Sequence, residues 1–287
     1  MIVGFTRNTP IEYSLPAMNW LYKRKAAFDK RFFPEKARQW RRWKQHEPES
    51  LAAVDHAPWA AFLARHIRKA EDGSSRVAYA RVDQADRRRL DGYIAACGAT
   101  PISVFARDEQ FAFWANLYNA LTVRLVLDHY PLRSIKRIGL LPTWLGGGPW
   151  NRKLVAVEGV SLSLNDIEHR VLRRNWRDPL IHYAVNCGSL GCPDLRSAPF
   201  TGASLRAELD DAARSFVDHP RGVRFAGERL IVCSIYMWFI DDFGGTEAGV
   251  IEHLARHASP QLRERLGQAG RVGGHQYDWR LNDADAA

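Results

Sequence analysis

Two cysteines lie five positions apart in a stretch that also holds two glycines, Asn186-Cys187-Gly188-Ser189-Leu190-Gly191-Cys192-Pro193. Cys187 follows an apolar run and precedes Gly188, so the backbone can turn sharply and present the thiol. A cysteine nucleophile must be a thiolate, and it needs a base or a positive dipole nearby. The spacing therefore indicates nucleophilic catalysis by Cys187. The alternative is a buried loop of small residues without chemistry.

His182 and Glu168 are the candidate base and acid for this thiol. His182 lies in the apolar run Leu180–Val185, which we predict to be a strand, so it meets Cys187 only if the chain turns at Asn186 or Cys187. Glu168 faces partly inward, because it is four residues from leucines on both sides. A satisfied core histidine and an ordinary ion pair of Glu168 with Arg173 are the alternatives.

Other acids and bases near these positions in the sequence are rivals for the same roles. His169 is a rival base. Asp241 and Asp242 are the next residues to consider if Glu168 is not part of the site.

Two amides on a long apolar helix, Asn116 and Asn119, are a second group of candidates. Buried amides usually tie loop backbone to the core, which is one interpretation. The other is that an amide, together with the backbone N–H of Cys187 or Gly188, stabilises an oxyanion or orients the substrate.

The same loop has two minority interpretations. His182, Cys187 and Cys192 offer the nitrogen and sulfur ligands that zinc prefers, but the five-residue spacing is not that of a zinc knuckle and no second cysteine pair follows. Cys187 and Cys192 are also close enough in the chain to form a redox pair. We expect neither a metal nor another cofactor.

Hydrophobic periodicity predicts the elements that carry these residues. We expect helices over about 20–43, 51–70, 83–98, 108–129, 163–174, 203–217 and 247–257, with short hairpins at 153–160 and 224–232. Asp83 is a predicted helix cap, and Ser163 with Asp166 forms a predicted capping box. The pattern is typical of an α+β protein with a helical N-terminal extension, divided as residues 1–100 and 101–287.

Composition limits the class of protein. The chain has 287 residues, 46% hydrophobic and only four cysteines, which argues against disorder and against a disulfide scaffold. No apolar stretch is long enough for a membrane span, and the N-terminus has no signal-peptide pattern, so we expect a cytoplasmic protein as written, or an exported one if the true N-terminus is missing.

The positive charge is concentrated in one segment. Residues 21–89 carry 18 Lys or Arg against 9 Asp or Glu, which accounts for the whole formal charge of +9. Such a segment can attract an acidic partner, although a solvated helical face is the simpler interpretation.

Five ordered blocks resemble the DUF547 family over about residues 105–282. They are FWANLYNALTVRLVLDHYPLRSI, SLSLNDIEHRVLR, DPLIHYAVNCGSLGCPDLR, Asp241-Asp242-Phe243 and Tyr277-Asp278-Trp279-Arg280-Leu281-Asn282. The family is similar, at a distance, to papain- and transglutaminase-like thiol enzymes, which implies a papain/transglutaminase-like core of helices and an antiparallel sheet. It also implies a Cys–His–acid site at Cys187, His182 and Glu168, in an order reversed from papain's.

These observations together predict a cysteine-dependent hydrolase or acyltransferase that acts on a peptide or another small amide. Cys187 would attack the carbonyl, His182 would carry the proton, and Glu168 would orient the imidazole. The alternative is a non-catalytic module that binds protein or nucleic acid through the loop and the basic segment.

Overall fold

The computed structural model describes residues 41–139 and 148–285, together with the backbone of residues 13–14. Helices and small sheets are mixed along these residues, which confirms the α+β class. The helices are α1 (Ala57–His66), α2 (Gln84–Ala99), α3 (Arg107–Leu127), a π-helix (Asp166–Leu172), α4 (Arg173–Trp176), α5 (Ile181–Ala184), α6 (Leu205–Val217), α7 (Ser234–Trp238), α8 (Glu247–His257) and α9 (Pro260–Gln268). The strands are β1 (Tyr13–Ser14), β2 (Ile67–Lys69), β3 (Ser75–Val77), β4 (Val155–Val157), β5 (Val160–Leu162), β6 (Val223–Ala226), β7 (Arg229–Cys233) and β8 (Gly274–Gln276).

Helix α3 is the centre of the molecule. Its sequence is apolar on nearly every face, and the structure buries it on nearly every face, from Phe111 at 1% exposure to Leu127 at 2%. A helix with no polar stripe can exclude water only when it is surrounded by other elements. The prediction of a buried helix over 108–129 is therefore confirmed. Helix α3 forms the wall against which residues 186–193, the cysteine loop, pack.

The region before α3 differs from the predicted helix over 51–70. Helix α1 ends at His66, and the chain continues as β2, which pairs antiparallel with β3. The turn that joins these strands contains Gly73, whose φ of +81° requires glycine. Asp83 caps α2 as predicted, because its side chain accepts a hydrogen bond from the Asp86 N–H.

The predicted hairpin and capping box that follow are confirmed. β4 and β5 are paired antiparallel. The Asp166 carboxylate accepts hydrogen bonds from the Ser163 N–H at 2.9 Å and from its hydroxyl at 2.7 Å, while the Asp166 N–H donates to Ser163 Oγ at 3.2 Å. The helix that begins there has a π conformation through Leu172, and the π-helix and α4 carry Glu168 and Arg173.

The predicted strand over Leu180–Val185 is wrong. The chain forms α5 there, entered through a turn in which the Asp178 carboxylate accepts the Leu180 N–H at 2.8 Å. At the other end, the Asn119 amide donates to the Ala184 carbonyl at 2.8 Å. A short segment that is buried on all sides has the same apolar sequence pattern whether it is a strand or a helix, so periodicity alone does not distinguish the two.

The main sheet has the order β1-β8-β7-β6. The predicted hairpin at 224–232 is its β6–β7 pair. The expected antiparallel arrangement holds for β1–β8 and β6–β7, but β7 and β8 run parallel, because the chain passes through α7, α8 and α9 before it returns. This crossover places the residues after β8 beside the cysteine loop.

Residues on both sides of the predicted boundary at 100 and 101 share one hydrophobic cluster, which extends from Trp43 to Leu281. The helices predicted over 203–217 and 247–257 are α6 and α8. Most of the helix predicted over residues 20–43 lies outside the described residues, and Arg41–Lys44 is a 3-10 turn. No helix in the described ranges is long and apolar enough to cross a membrane.

Candidate thiol site

The cysteine loop is closed on itself by Asn186. Its amide donates to the Pro193 carbonyl at 2.7 Å, and its amide oxygen accepts the Gly188 N–H at 2.8 Å. Gly188 has a φ of +81°, so glycine is needed for the turn that directs the Cys187 side chain. The loop therefore presents the thiol through a backbone turn, as the sequence predicts.

The residues after β8 form one wall of the site. The Gly191 N–H donates to the Asp278 carbonyl and the Leu190 N–H to the Arg280 carbonyl, both at 2.8 Å. A Cβ on Gly191 would lie 2.9 Å from ring carbons of Tyr277. Glycine at 191 is thus required for the close approach of Tyr277 to the loop.

Three side chains converge on the sulfur of Cys187. Its Sγ lies 2.9 Å from Cys192 Sγ, 3.0 Å from Ser189 Oγ and 3.2 Å from the Tyr277 hydroxyl. Ser189 Oγ and the Tyr277 hydroxyl are themselves 2.7 Å apart, and Tyr277 also reaches Cys192 Sγ at 3.1 Å. The Cys187 N–H donates to Cys192 Sγ at 3.2 Å. The thiol is therefore surrounded by groups that can hydrogen-bond to it.

These groups favour the thiolate of Cys187. Hydrogen bonds from Cys192, Ser189 and Tyr277 lower its pKa against the opposing effect of burial. Burial raises the pKa of Cys192, and the neighbouring Cys187 raises it further. The pKa values of the two sulfurs are thus shifted in opposite directions, and the Cys192 thiol donates to Cys187.

His182 is paired with Asp242. Its Nε2 lies 2.7 Å from Asp242 Oδ2, and its ring stacks on Phe239 with centroids 4.5 Å apart. Arg173 Nε donates to the same carboxylate oxygen at 2.6 Å. Burial lowers the pKa of His182, although the bond to Asp242 opposes this effect. His182 is therefore held in place by Asp242 and Phe239, and in the described residues no hydrogen bond joins it to Cys187.

Glu168 is not the carboxylate that contacts His182. Its side chain is 13% exposed and interacts with Tyr118 and with the Arg173 cation. Burial raises the pKa of Glu168 to about 7, and the negative charges of Cys187 and Asp242 raise it further against the effects of Tyr118 and Arg173. Asp242 has the orienting position predicted for Glu168, because the turn Ile240–Phe243 brings it against α5. Glu168 remains near the thiol as a carboxyl group that holds its proton close to neutral pH.

Asn116 and Asn119 tie loops to α3, which is the first of their two predicted interpretations. Asn116 makes a pair of bonds with the backbone of Phe200, at 2.8 and 3.0 Å. Asn119 accepts the Asn186 N–H at 2.8 Å and donates to Ala184. Asn119 thus fixes the start of the cysteine loop. The Gly188 N–H, a predicted oxyanion donor, is engaged by Asn186.

Sequence reasoning missed two residues of this site, Ser189 and Tyr277, whose hydroxyls contact the thiol. Arg173 is a predicted ion-pair partner of Glu168, and it also pairs with the Asp242 carboxylate. Ser189 lies inside the cysteine loop, and Tyr277 lies inside a block that carries the family resemblance. Neither a serine nor a tyrosine by itself indicates a contact with a sulfur atom. Asp242 was foreseen only as a substitute acid.

A cleft of about 490 Å³ opens beside Gly191 and Tyr277. Five basic side chains line it together with Asp72 and Asp278; they are Arg76, His219, Arg221, Arg224 and Arg280. Arg221 also donates to the Leu190 and Cys192 carbonyls, at 2.8 and 3.0 Å, and so braces the cysteine loop from the cleft side.

No group of three His, Cys, Asp or Glu residues in the described ranges is arranged to hold a metal ion. His182 turns to Asp242, whereas Cys187 and Cys192 turn to Tyr277. The three residues of the zinc interpretation thus have different partners.

The family comparison covers the first half of the site. Residues 102–217 match the family model DUF547, whose description is "Protein of unknown function, DUF547". This range includes Glu168, His182 and the cysteine loop, while Asp242 and Tyr277 lie beyond it. No curated protein and no solved structure matches the chain.

Proposed function

We propose, from the premise that residues 102–217 are a DUF547 region, that this protein is a cysteine-dependent hydrolase or acyltransferase acting on a peptide or another small amide. The observation that carries the proposal is the Cys187 sulfur, which lies within 3.2 Å of Cys192, Ser189 and Tyr277, because hydrogen bonds with these side chains lower the pKa of its thiol. A buried cysteine without a chemical role tends to be a neutral thiol. Cys97 is an example, because burial raises its pKa to about 11.

In the proposed reaction, the Cys187 sulfur attacks the carbonyl carbon of the amide. The oxygen becomes an oxyanion, for which the hydroxyls of Ser189 and Tyr277 are donors already within 3.0 and 3.2 Å of the sulfur. A proton then passes to the amide nitrogen, the carbon–nitrogen bond breaks and the amine leaves. Water or an acceptor nucleophile afterwards releases the acyl group from the thioester.

Two groups can carry that proton. His182, oriented by Asp242, is the predicted base and acid. Glu168 keeps its proton near neutral pH, so it also suits the role of general acid to the leaving amine. We assign the acid–base chemistry to His182 and the protonated Glu168, and the orientation of the imidazole to Asp242.

The core is proposed to be related to that of papain- and transglutaminase-like enzymes. Support comes from the mixed sheet β1-β8-β7-β6, because the residue that follows β8 and the buried helix α3 both contact the cysteine loop. The substrate chain would approach through the cleft beside Gly191 and Tyr277.

Acylation by an activated ester tests the nucleophile. Mixing the protein with p-nitrophenyl acetate should release a burst of one p-nitrophenolate per chain and leave an acetyl group on Cys187, mapped by peptide mass spectrometry. Cys187→Ala should abolish the burst and reduce hydrolysis of a mixed peptide library by about 10³-fold or more. His182→Ala should retain the thiol but slow both reactions, and Asp242→Asn should have a smaller effect.

Cys97→Ala is the matched control, since Cys97 is a buried thiol in α2 outside the site. It should leave burst and hydrolysis unchanged. Acetylation shared equally among the cysteines, or library hydrolysis that survives Cys187→Ala, would overturn the proposal and favour a binding module.

A further inference from the structure

The contact between Cys187 and Cys192 is closer than catalysis by one thiol requires. The two sulfurs are 2.9 Å apart, and a disulfide bond is about 2.05 Å long, so bond formation needs a movement of about 0.9 Å. The intervening residues include Gly188 and Gly191, which lets the loop bring its two ends together. Both cysteines are free in this structure.

The two thiols differ in the way that an oxidation pair requires. The hydroxyls of Ser189 and Tyr277 lie 3.0 and 3.2 Å from the Cys187 sulfur, where they can stabilise its thiolate, the form that attacks an electrophile. Cys192 is 5% exposed and its thiol donates to Cys187. An electrophile therefore reacts at Cys187, and Cys192 is the nearest thiol to the product.

The other cysteines are engaged elsewhere. Cys233 donates to the Gly191 carbonyl at 3.4 Å, and burial raises its pKa to about 12. Cys97 lies in α2 next to Tyr93. Cys192 is thus the resolving partner that the geometry favours, although Cys233 lies close to the same loop.

We propose that Cys187 and Cys192 are the attacking and resolving thiols of a second reaction, the reduction of a hydroperoxide. The Cys187 thiolate attacks the terminal oxygen of ROOH, the O–O bond breaks, and the products are Cys187 sulfenic acid and an alkoxide that takes a proton to become ROH. The Cys192 sulfur then attacks the sulfenic sulfur and water leaves. The two thiols lose two electrons in total, and the peroxide gains them.

The resulting disulfide has two effects on the site. It consumes the nucleophile, so acyl transfer stops until a dithiol reductant exchanges with the bond and restores both thiols. It also protects Cys187 from the irreversible sulfinic and sulfonic acids, because resolution competes with further oxidation. The inference uses the acidity of Cys187 but does not depend on hydrolysis of an amide.

Oxidation of the wild-type protein followed by peptide mapping is the decisive experiment. One equivalent of cumene hydroperoxide should yield cumyl alcohol and a chain lighter by two hydrogens, with Cys187 linked to Cys192. Dithiothreitol should restore both thiols. With dimedone present, the Cys192→Ser variant should accumulate a sulfenic adduct on Cys187, and Cys97→Ser should behave as wild type.

The map of the wild-type protein decides the proposal even if a variant does not fold. A link from Cys187 to Cys233 or to a second chain would overturn it, as would a sulfinic acid at Cys187 while Cys192 stays reduced. These results are separate from those of the acylation test. If Cys187 is acetylated but no internal disulfide forms, the proposed hydrolase or acyltransferase function stands and the peroxide reaction is overturned. If the disulfide forms but Cys187 is not acetylated, the peroxide reaction stands and the proposed function is overturned.

Discussion

The thiol of Cys187 is surrounded in this protein by two hydroxyl groups and a second thiol, and these hydrogen bonds lower its pKa. Ser189, Tyr277 and Cys192 all lie within 3.2 Å of its sulfur. His182 instead bonds to Asp242. Both residues are among the candidates that the sequence identifies. In the proposed reaction, thiolate formation and proton transfer thus involve different side chains, and each can be altered by its own substitution.

The protonation of Glu168 makes stability depend on pH. Its pKa is about 7 in the folded protein against 4.5 for an ordinary glutamate, so the folded state holds the proton more tightly than the unfolded state does. The free energy of unfolding should therefore fall as pH rises from about 4.5 to 7, and then level off. The pKa difference converts to about 3 kcal/mol, an upper figure.

Glu168→Gln should remove this dependence, because glutamine has no charge to bury. As pH rises from 4 to 8, the free energy of unfolding of the variant should increase relative to that of wild type by up to about 3 kcal/mol. Urea unfolding at a series of pH values measures this difference. Glu252→Gln is the control, since that side chain is 68% exposed on α8. Parallel stability curves for wild type and Glu168→Gln would show that the carboxyl group is ionised at neutral pH.

At the scale of elements, the sequence correctly predicts the helices and turns whose residue patterns are compatible with only one structure. Helix α3 is apolar all round, and Ser163 with Asp166 has the spacing of a capping box, so both follow from local rules. The apolar run Leu180–Val185 has no local pattern of this kind. It is buried by partners that come from distant parts of the chain, and the Asn119 amide that ends α5 is 65 residues away.

Gly191 connects two elements of the site and offers a sharp test of them. A Cβ there would lie 2.8 Å from the Asp278 backbone nitrogen and 2.9 Å from the Tyr277 ring, closer than real contacts allow. Gly191→Ala should displace Tyr277 and withdraw a donor from Cys187. The midpoint of the Cys187 alkylation rate against pH should then move to higher pH, and the melting temperature should fall.

Gly92→Ala is the matched control. Gly92 lies on the exposed face of α2, and nothing lies within 4 Å of a Cβ built on it. Alanine there should leave the alkylation midpoint unchanged and stabilise the helix by about 1 kcal/mol. An unchanged midpoint in Gly191→Ala as well would remove Tyr277 from the activation of the thiol.

At the scale of the whole molecule, the basic segment 21–89 is both an internal tie and a candidate docking surface. Arg42 pairs with Glu158 and Arg81 with Asp285, so part of its charge holds distant segments together. Its residues 21–40 lie outside the described part of the chain. The proposal of an acidic partner therefore rests on the excess charge of the sequence.

Charge reversal can test that partner. Replacing Lys23, Arg24 and Lys25 with Glu should weaken binding to a polyglutamate peptide by roughly tenfold, which corresponds to about 1.4 kcal/mol. Binding by wild type should weaken as salt is added, because salt screens exposed charges. Reversing three exposed arginines on α8 and α9, Arg256, Arg263 and Arg265, changes the net charge equally and should have little effect. Equal losses in both variants would assign the binding to overall charge.

The candidate site shows where sequence reasoning ends. Cys187 and His182 stand out by residue type and loop context, and both lie in one buried region. The roles of Tyr277 and Asp242 depend on the crossover from β7 through α7, α8 and α9 to β8. A contact made by a long-range return of the chain leaves no periodic signal at either residue.

That return of the chain also orders events during synthesis. Cys187 is made 90 residues before Tyr277. At about 5–20 residues per second, a ribosome needs roughly 5–18 s to cover that distance. Throughout this interval the nascent thiol lacks the phenol that helps to hold it as an anion. The contact between the Cys187 sulfur and the Tyr277 hydroxyl can therefore form only after one of the last segments of the described chain has been translated.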